Sequence, residues 1–144
     1  MLQSLHVKNL ALMEETEVEF GEGLNILTGE TGAGKSLLIG SVNLALGGKF
    51  EREMLRKGTD SALVELVFNS QDAKVLEKMN SMDLPVEEDG TIIISRRMQV
   101  GKSVCKINGE TVTARQIKDC KFSSHVNTCR VCKLLLDVHR KHHE

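Results

Sequence analysis

The sequence predicts an α/β fold built around a phosphate-binding loop, on three observations. The stretch Gly29-Glu30-Thr31-Gly32-Ala33-Gly34-Lys35-Ser36 fits the pattern G-x-x-x-x-G-K-[ST] at every fixed position. Leu24-Asn25-Ile26-Leu27-Thr28 reads as a short buried strand leading in, and Leu37, Leu38, Val42, Leu44 and Leu46 give a helix leading out. Ahead of that strand lies another in which Thr16, Val18 and Phe20 alternate with Glu15, Glu17 and Glu19, the period of a sheet with one wet face. The glycines let successive N–H groups curl toward one anion, and the helix N-terminus is aimed at it. Lys35 is then placed for the β- and γ-phosphates of a nucleoside triphosphate, and the Ser36 hydroxyl for the Mg²⁺ it carries.

The remaining elements follow in chain order. Leu2 to Val7 is a first strand with Leu5 and Val7 on one face, and Glu14 to Phe20 is the second. Gly21-Glu22-Gly23 is the turn before the strand that enters the loop. Two strands before the loop set this chain apart from a plain mononucleotide fold, where the loop commonly follows the first. Gly47-Gly48 stops the helix after the loop. Ala62 to Phe68 is apolar on both faces apart from Glu65, so it is expected in mid-sheet. Asp72 to Met79 is a short helix with Val75, Leu76 and Met79 on one side and Pro85 beyond its end. Glu87-Glu88-Asp89-Gly90 is an acidic turn. Ile92 to Arg97 and Ser103 to Ile107 form a hairpin across Gln99-Val100-Gly101, and Asn108-Gly109 is a second turn signal. Thr113-Ala114-Arg115-Gln116 fits a capping box, which starts a helix with Ile117 on its buried side.

Composition narrows the function classes. A chain of 144 residues is sized for one domain with a real core. A net charge of −1 excludes a bulk electrostatic grip on nucleic acid while leaving room for a local patch. No apolar run has the length of a membrane span, and the N-terminus has no signal-peptide core, so a cytoplasmic location without a membrane partner is expected. The four cysteines are then expected as reduced thiols.

Leu5-His6-Val7-Lys8-Asn9-Leu10, the acidic strand ending Glu19-Phe20-Gly21, and Gly23 to Thr28 followed by the loop with Glu30-Thr31 resemble the N-terminal head of the RecN family. These are bacterial recombinational DNA-repair ATPases related to SMC proteins. Met54-Leu55-Arg56-Lys57-Gly58 and the strand Ala62 to Phe68 resemble that family's arginine-containing loop and following strand. Thr91 to Arg97 and Ile107-Asn108-Gly109 fall where the family has a basic strand and an I-N-G turn. The resemblance covers about residues 1–119. It implies the N-terminal lobe of an ABC/SMC-type ATPase head, with a mixed sheet and an antiparallel β-element before the phosphate-loop strand. It further implies ATP and Mg²⁺ as ligands, Arg56 beside the nucleotide, the C-terminal half of the head and a second head as partners, and a place at the nucleoid.

Arg56, Lys57, Arg96, Arg97, Lys102 and Lys106 are the candidates for contacts to a DNA backbone, against a plain reading as solvated strand edges and loop tips. With four Phe, no Trp and no Tyr, stacking on bases has little support. Residues 120–144 form a divergent Cys/His-rich tail. Asp137-Val138-His139 resembles the lead-in to the family's H-G-Q-H-type loop, but about eleven residues late, with Arg140-Lys141 where a Gly-Gln pair is expected. The tail reads equally as a diverged segment or as the product of an altered reading frame. Cys120, His125, Cys129 and Cys132 reach the ligand count of a zinc site, yet only the last two have ligand spacing, so unliganded thiols are expected. His139, His142 and His143 read as a polar helix end.

No general base, signature segment or acidic metal-binding strand is found in these residues. The chain is therefore expected to bind ATP without turning it over and to work as a piece of a larger head. A non-catalytic nucleotide-binding or interaction module is the rival reading. A small phosphoryl-transfer enzyme is the weakest, because no substrate-binding segment follows the loop.

Overall fold

The computed structural model describes residues 2–20, 24–28 and 35–122. Among the described residues, seven strands and three α-helices form one sheet with helices over its core face: β1 (Leu2–Leu10), β2 (Met13–Phe20), β3 (Leu24–Thr28), α1 (Lys35–Ala45), β4 (Ser61–Asn69), α2 (Ala73–Ser81), β5 (Thr91–Gln99), β6 (Lys102–Ile107), β7 (Glu110–Val112) and α3 (Ala114–Asp119). The strand order is β3-β2-β1-β4-β5-β6-β7, and every pairing among the described residues is antiparallel.

Alternation along the strands decides which side is dry. In β4, Ala62, Val64, Leu66 and Phe68 are buried while the residues between them are half-buried. Paired with β1 on one side and β5 on the other, β4 takes the central place its apolar run predicts. Thr16 and Val18 of β2 point inward, and the glutamates on the other side reach solvent. There His6 Nε2 lies 3.0 Å from Glu15 Oε1. Burial of about 25 cal/mol per Å² of apolar surface makes this one dry face the principal stabilising feature.

Local signals end the elements where the chemistry predicts. Asp72 caps α2 by accepting from the Lys74 amide at 2.8 Å, and Val75 and Met79 face the core. Thr113 and Gln116 form both halves of the capping box: the Gln116 amide donates to Thr113 Oγ1 at 3.0 Å, and the Thr113 amide to Gln116 Oε1 at 2.8 Å. Ile117 is buried, as its position predicts. Asn108 (φ 49°) and Gly109 (φ 87°) both take positive φ in the β6–β7 connection, the conformation a tight hairpin turn requires. The packed body continues through Phe122, whose ring meets Phe68 edge-to-face at 5.3 Å and 66° and is 1% exposed. Cys120 is buried there too, 3.6 Å from Met82 Sδ.

Candidate phosphate-loop site

Topology gathers the candidate residues at one end of the sheet. Residue β3 Thr28 pairs with Glu17 of β2, and Leu10 of β1 with Met13 of β2, so β3 runs toward the end that carries the β1–β2 turn. Because β4 is antiparallel to β1 and β5 to β4, the start of β4 and the β5–β6 turn lie at the same end. Gly29, Glu30, Thr31, Gly32, Ala33 and Gly34, which carry the phosphate-loop pattern, lie outside the described residues. Their two anchors are described: β3 ends at Thr28, and α1 opens with Lys35 and Ser36. The first turn of α1 holds no acidic residue. Its unpaired N–H groups, equivalent to roughly half a positive charge, therefore meet no carboxylate of their own turn. That arrangement fits a bound polyphosphate with its Mg²⁺.

Arg56 belongs to the same end. Its Nη1 donates to Leu12 O at 2.9 Å, and its amide to Asn9 O at 3.0 Å. The Ala11 amide donates to Met54 O at 2.6 Å, and Leu10 forms a bridge with Leu55. The 52–59 segment is thus stitched to the turn that joins β1 and β2, and β2 is the neighbour of β3. Arg52, Arg56, Lys57 and Asp60 line a cleft of about 580 Å³ beside the β5–β6 turn. Arg56 and Lys57 remain on the surface, as their candidacy for an anion contact requires.

Arg96 does not. It is 5% exposed, on the inward face of β5 in line with Ile92, Ile94 and Met98. Its Nη1 donates to Leu44 O at 2.8 Å and to Gly48 O at 2.5 Å, so it holds the C-terminal carbonyls of α1. This corrects both its candidacy for a DNA-backbone contact and its plain reading as a solvated strand edge. The alternation Ile92-x-Ile94-x-Arg96-x-Met98 was the signal that it points inward. Arg97 and Lys106 are on the exposed face, and Arg97 lies 3.5 Å from Ser61 Oγ.

At the opposite end of the sheet, Asp89 Oδ1 accepts from the Thr91 amide at 3.0 Å, which holds the Asp89 carboxyl below its ordinary range. Burial pushes the thiols of Cys105 and Cys120 up, with Arg96 opposing this at Cys105 and Lys78 at Cys120. Such thiols are poor metal ligands and nucleophiles. No group of three or more metal-ligating side chains occurs among the described residues. His125, Cys129, Cys132, His139, Lys141, His142 and His143 lie outside them. No described helix is long and apolar enough to cross a membrane.

Comparisons with known proteins bear on the whole arrangement. A family model described as an AAA domain matches residues 4–129. The DNA repair protein RecN of Bacillus subtilis is 37% identical over 145 aligned residues, covering 99% of this chain and 23% of that protein. RecN of Synechocystis is 40% identical over 121 residues, covering 81% and 20%. RecN of Haemophilus influenzae is 31% identical, covering 94% and 25%. The chain thus spans about a fifth to a quarter of the length of the curated relatives it matches. Among solved structures, one from work on ATP-driven dimerisation and DNA-stimulated activation of SMC ATPases aligns with a TM-score of 0.60 at 22% identity, over 83% of this chain and 76% of that one. RecF bound to ATP aligns with a TM-score of 0.58 at 20% identity, over 81% and 30%. These structural likenesses support the α/β ATPase-head fold.

Proposed function

The chain belongs to the AAA domain family, and from that premise we propose that it is the ATP-binding part of a RecN-like DNA-repair protein. One observation carries this reading: a β-strand ending at Thr28 and a helix opening with Lys35 and Ser36 bracket the six loop residues, behind an antiparallel β1–β2 pair. The loop and the start of α1 would hold the phosphates, with Lys35 toward the β- and γ-oxygens and Ser36 toward Mg²⁺. ATP-Mg²⁺ supplies the phosphoanhydride.

Lys35 and Ser36 supply the near side of the γ-phosphate only. In-line attack also needs an oriented water and charge stabilisation opposite the loop. We assign these to the C-terminal half of a head and to a second head, with Arg56 on the nucleotide-facing end of this lobe. The protein works on DNA in the cytoplasm, at the nucleoid, through backbone contacts. The SMC structure's ATP-driven dimerisation and the RecF–ATP complex support this reading by fold.

Calorimetric titration of the chain with ATP-Mg²⁺ tests it. Lys35→Ala should lower affinity at least tenfold, about 1.4 kcal/mol. Phosphate release by the isolated chain should stay at the level of that variant, with or without DNA. Equal ATP affinity in the two proteins overturns the phosphate site, and turnover well above the variant overturns the division of labour.

A further inference from the structure

A second cationic site lies at the other end of α1. Gly47 (φ 100°) ends the helix where a Cβ would stand 2.7 Å from Ala114 O, so the end of α1 and the start of α3 abut without room for a side chain. The cleft they form with the β5–β6 hairpin has a volume of about 620 Å³. Lys49, Lys102 and Lys118 line it from three different elements, joined by Arg96, Gln99 and Ser103, and no acidic residue lines it. The three lysines are exposed and take part in no ion pair among the described residues.

Arg96 makes this more than a chance gathering of surface lysines. It is 95% buried by its 5% exposure, and two carbonyls occupy its Nη1, while its buried Nε has no partner. Its charge offsets the partial negative charge at the C-terminus of α1, about half a unit. A cationic excess remains on the lysines around one cleft, with no acidic residue in its lining. A neutral or cationic ligand gains nothing there. A compact multivalent anion relieves the repulsion and accepts hydrogen bonds from three ammonium groups, which bind phosphate as point charges.

We propose that this cleft is a second phosphate-binding site, separate from the loop at Gly29 to Ser36. The eleven residues of α1 put the two about 16 Å apart along the helix. The phosphate group it takes comes either from a nucleic-acid backbone or from a small phosphate compound. The inference stands apart from the loop reading, because none of its residues belongs to the loop.

The test uses the Lys35→Ala chain, which removes the loop lysine, labelled with ¹⁵N and titrated with pyrophosphate and with a short DNA duplex. Saturable shifts centred on the Gly48, Lys102, Ser103 and Lys118 amides are expected. In a Lys102→Glu/Lys118→Glu version they should need at least tenfold more ligand. Both changes are at exposed positions, and an unaltered thermal midpoint verifies that the variant folds. A duplex that shifts the same amides, with affinity falling as salt rises, identifies the backbone as the source. Response to pyrophosphate alone identifies a small phosphate. No response to either, or one undiminished in the double variant, overturns the site. Loss of ATP binding through Lys35→Ala would stand in either case, so the two readings fail separately.

Discussion

Replacing Arg96 with methionine tests how α1 is held. The guanidinium is 5% exposed and donates to Leu44 O and Gly48 O. Methionine fills much of the stem's volume but donates nothing, so Gly48 O loses its partner, while Leu44 O gives up a charge-assisted bond but keeps the Gly47 amide at 3.1 Å. Each orphaned group costs about 1–3 kcal/mol. Against this, the buried Nε already lacks a partner, and removing it returns about 1–3 kcal/mol. The orphaned Gly48 O and the relieved Nε roughly cancel, and the charge-assisted bond lost at Leu44 O, about 1.5–3 kcal/mol, leaves a net loss of about 2 kcal/mol. With an unfolding entropy of about 2.1 cal/mol/K per residue over 144 residues, that lowers the thermal midpoint by about 7 °C. Urea unfolding followed by circular dichroism measures the free energy, and Arg96→Lys, able to keep one bond, should fall between. A methionine variant as stable as the wild type would refute the account and leave the end of α1 held by packing and its own backbone hydrogen bonds.

Three further outcomes are expected. Phe122→Ala should destabilise the fold by about 3–5 kcal/mol, since its ring is buried against Phe68; a loss under about 1 kcal/mol in the same urea assay would place residue 122 outside the cooperative unit. The depressed carboxyl of Asp89 stabilises the fold above its unfolded value of about 3.9, and that contribution is lost as pH falls through the lower folded value. The gap between wild type and Asp89→Ala should therefore be full at neutral pH and close in acid. Cys105 and Cys120, raised above 9.0 by burial, stabilise the fold below that value and cease to as pH climbs past the folded one; a thiol reagent at pH 8 should leave both unmodified until denaturant is added.

The features legible in the sequence were those with local causes. Strand alternation, the capping box at Thr113 and Gln116, the Asn108-Gly109 turn and the Gly47-Gly48 stop each act within a few residues of where they are written. The two flanks of the phosphate-loop pattern are legible for the same reason, β3 ending at Thr28 and α1 opening at Lys35. What escaped rests on partners far along the chain. Arg96 reaches carbonyls in α1 and its stop, and nothing beside Arg96 in sequence names them. Phe122 finds Phe68 only once β4 and α3 have been brought together, so the core's continuation into residues 120–122 left no signature. The lysines of the cleft come from three separate elements, and the overall charge of −1 conceals their excess.

In the strand order every pair of neighbours but one is consecutive in sequence; the exception is β1 beside β4, with Leu5 facing Leu66. The sheet is thus two ribbons, β1 to β3 and β4 to β7, the second carrying the 21-residue connection 70–90 with α2 between β4 and β5, joined along a single seam that closes a loop of about sixty residues. Short turns close fast and long loops slowly. Helix α1 issues from the first ribbon yet rests on β4 and β5 of the second. Its seat on the sheet therefore depends on the join. A chain with both ribbons formed and the seam open has no second ribbon for α1 to rest on, so the packing of α1 arrives with the last long-range pairing.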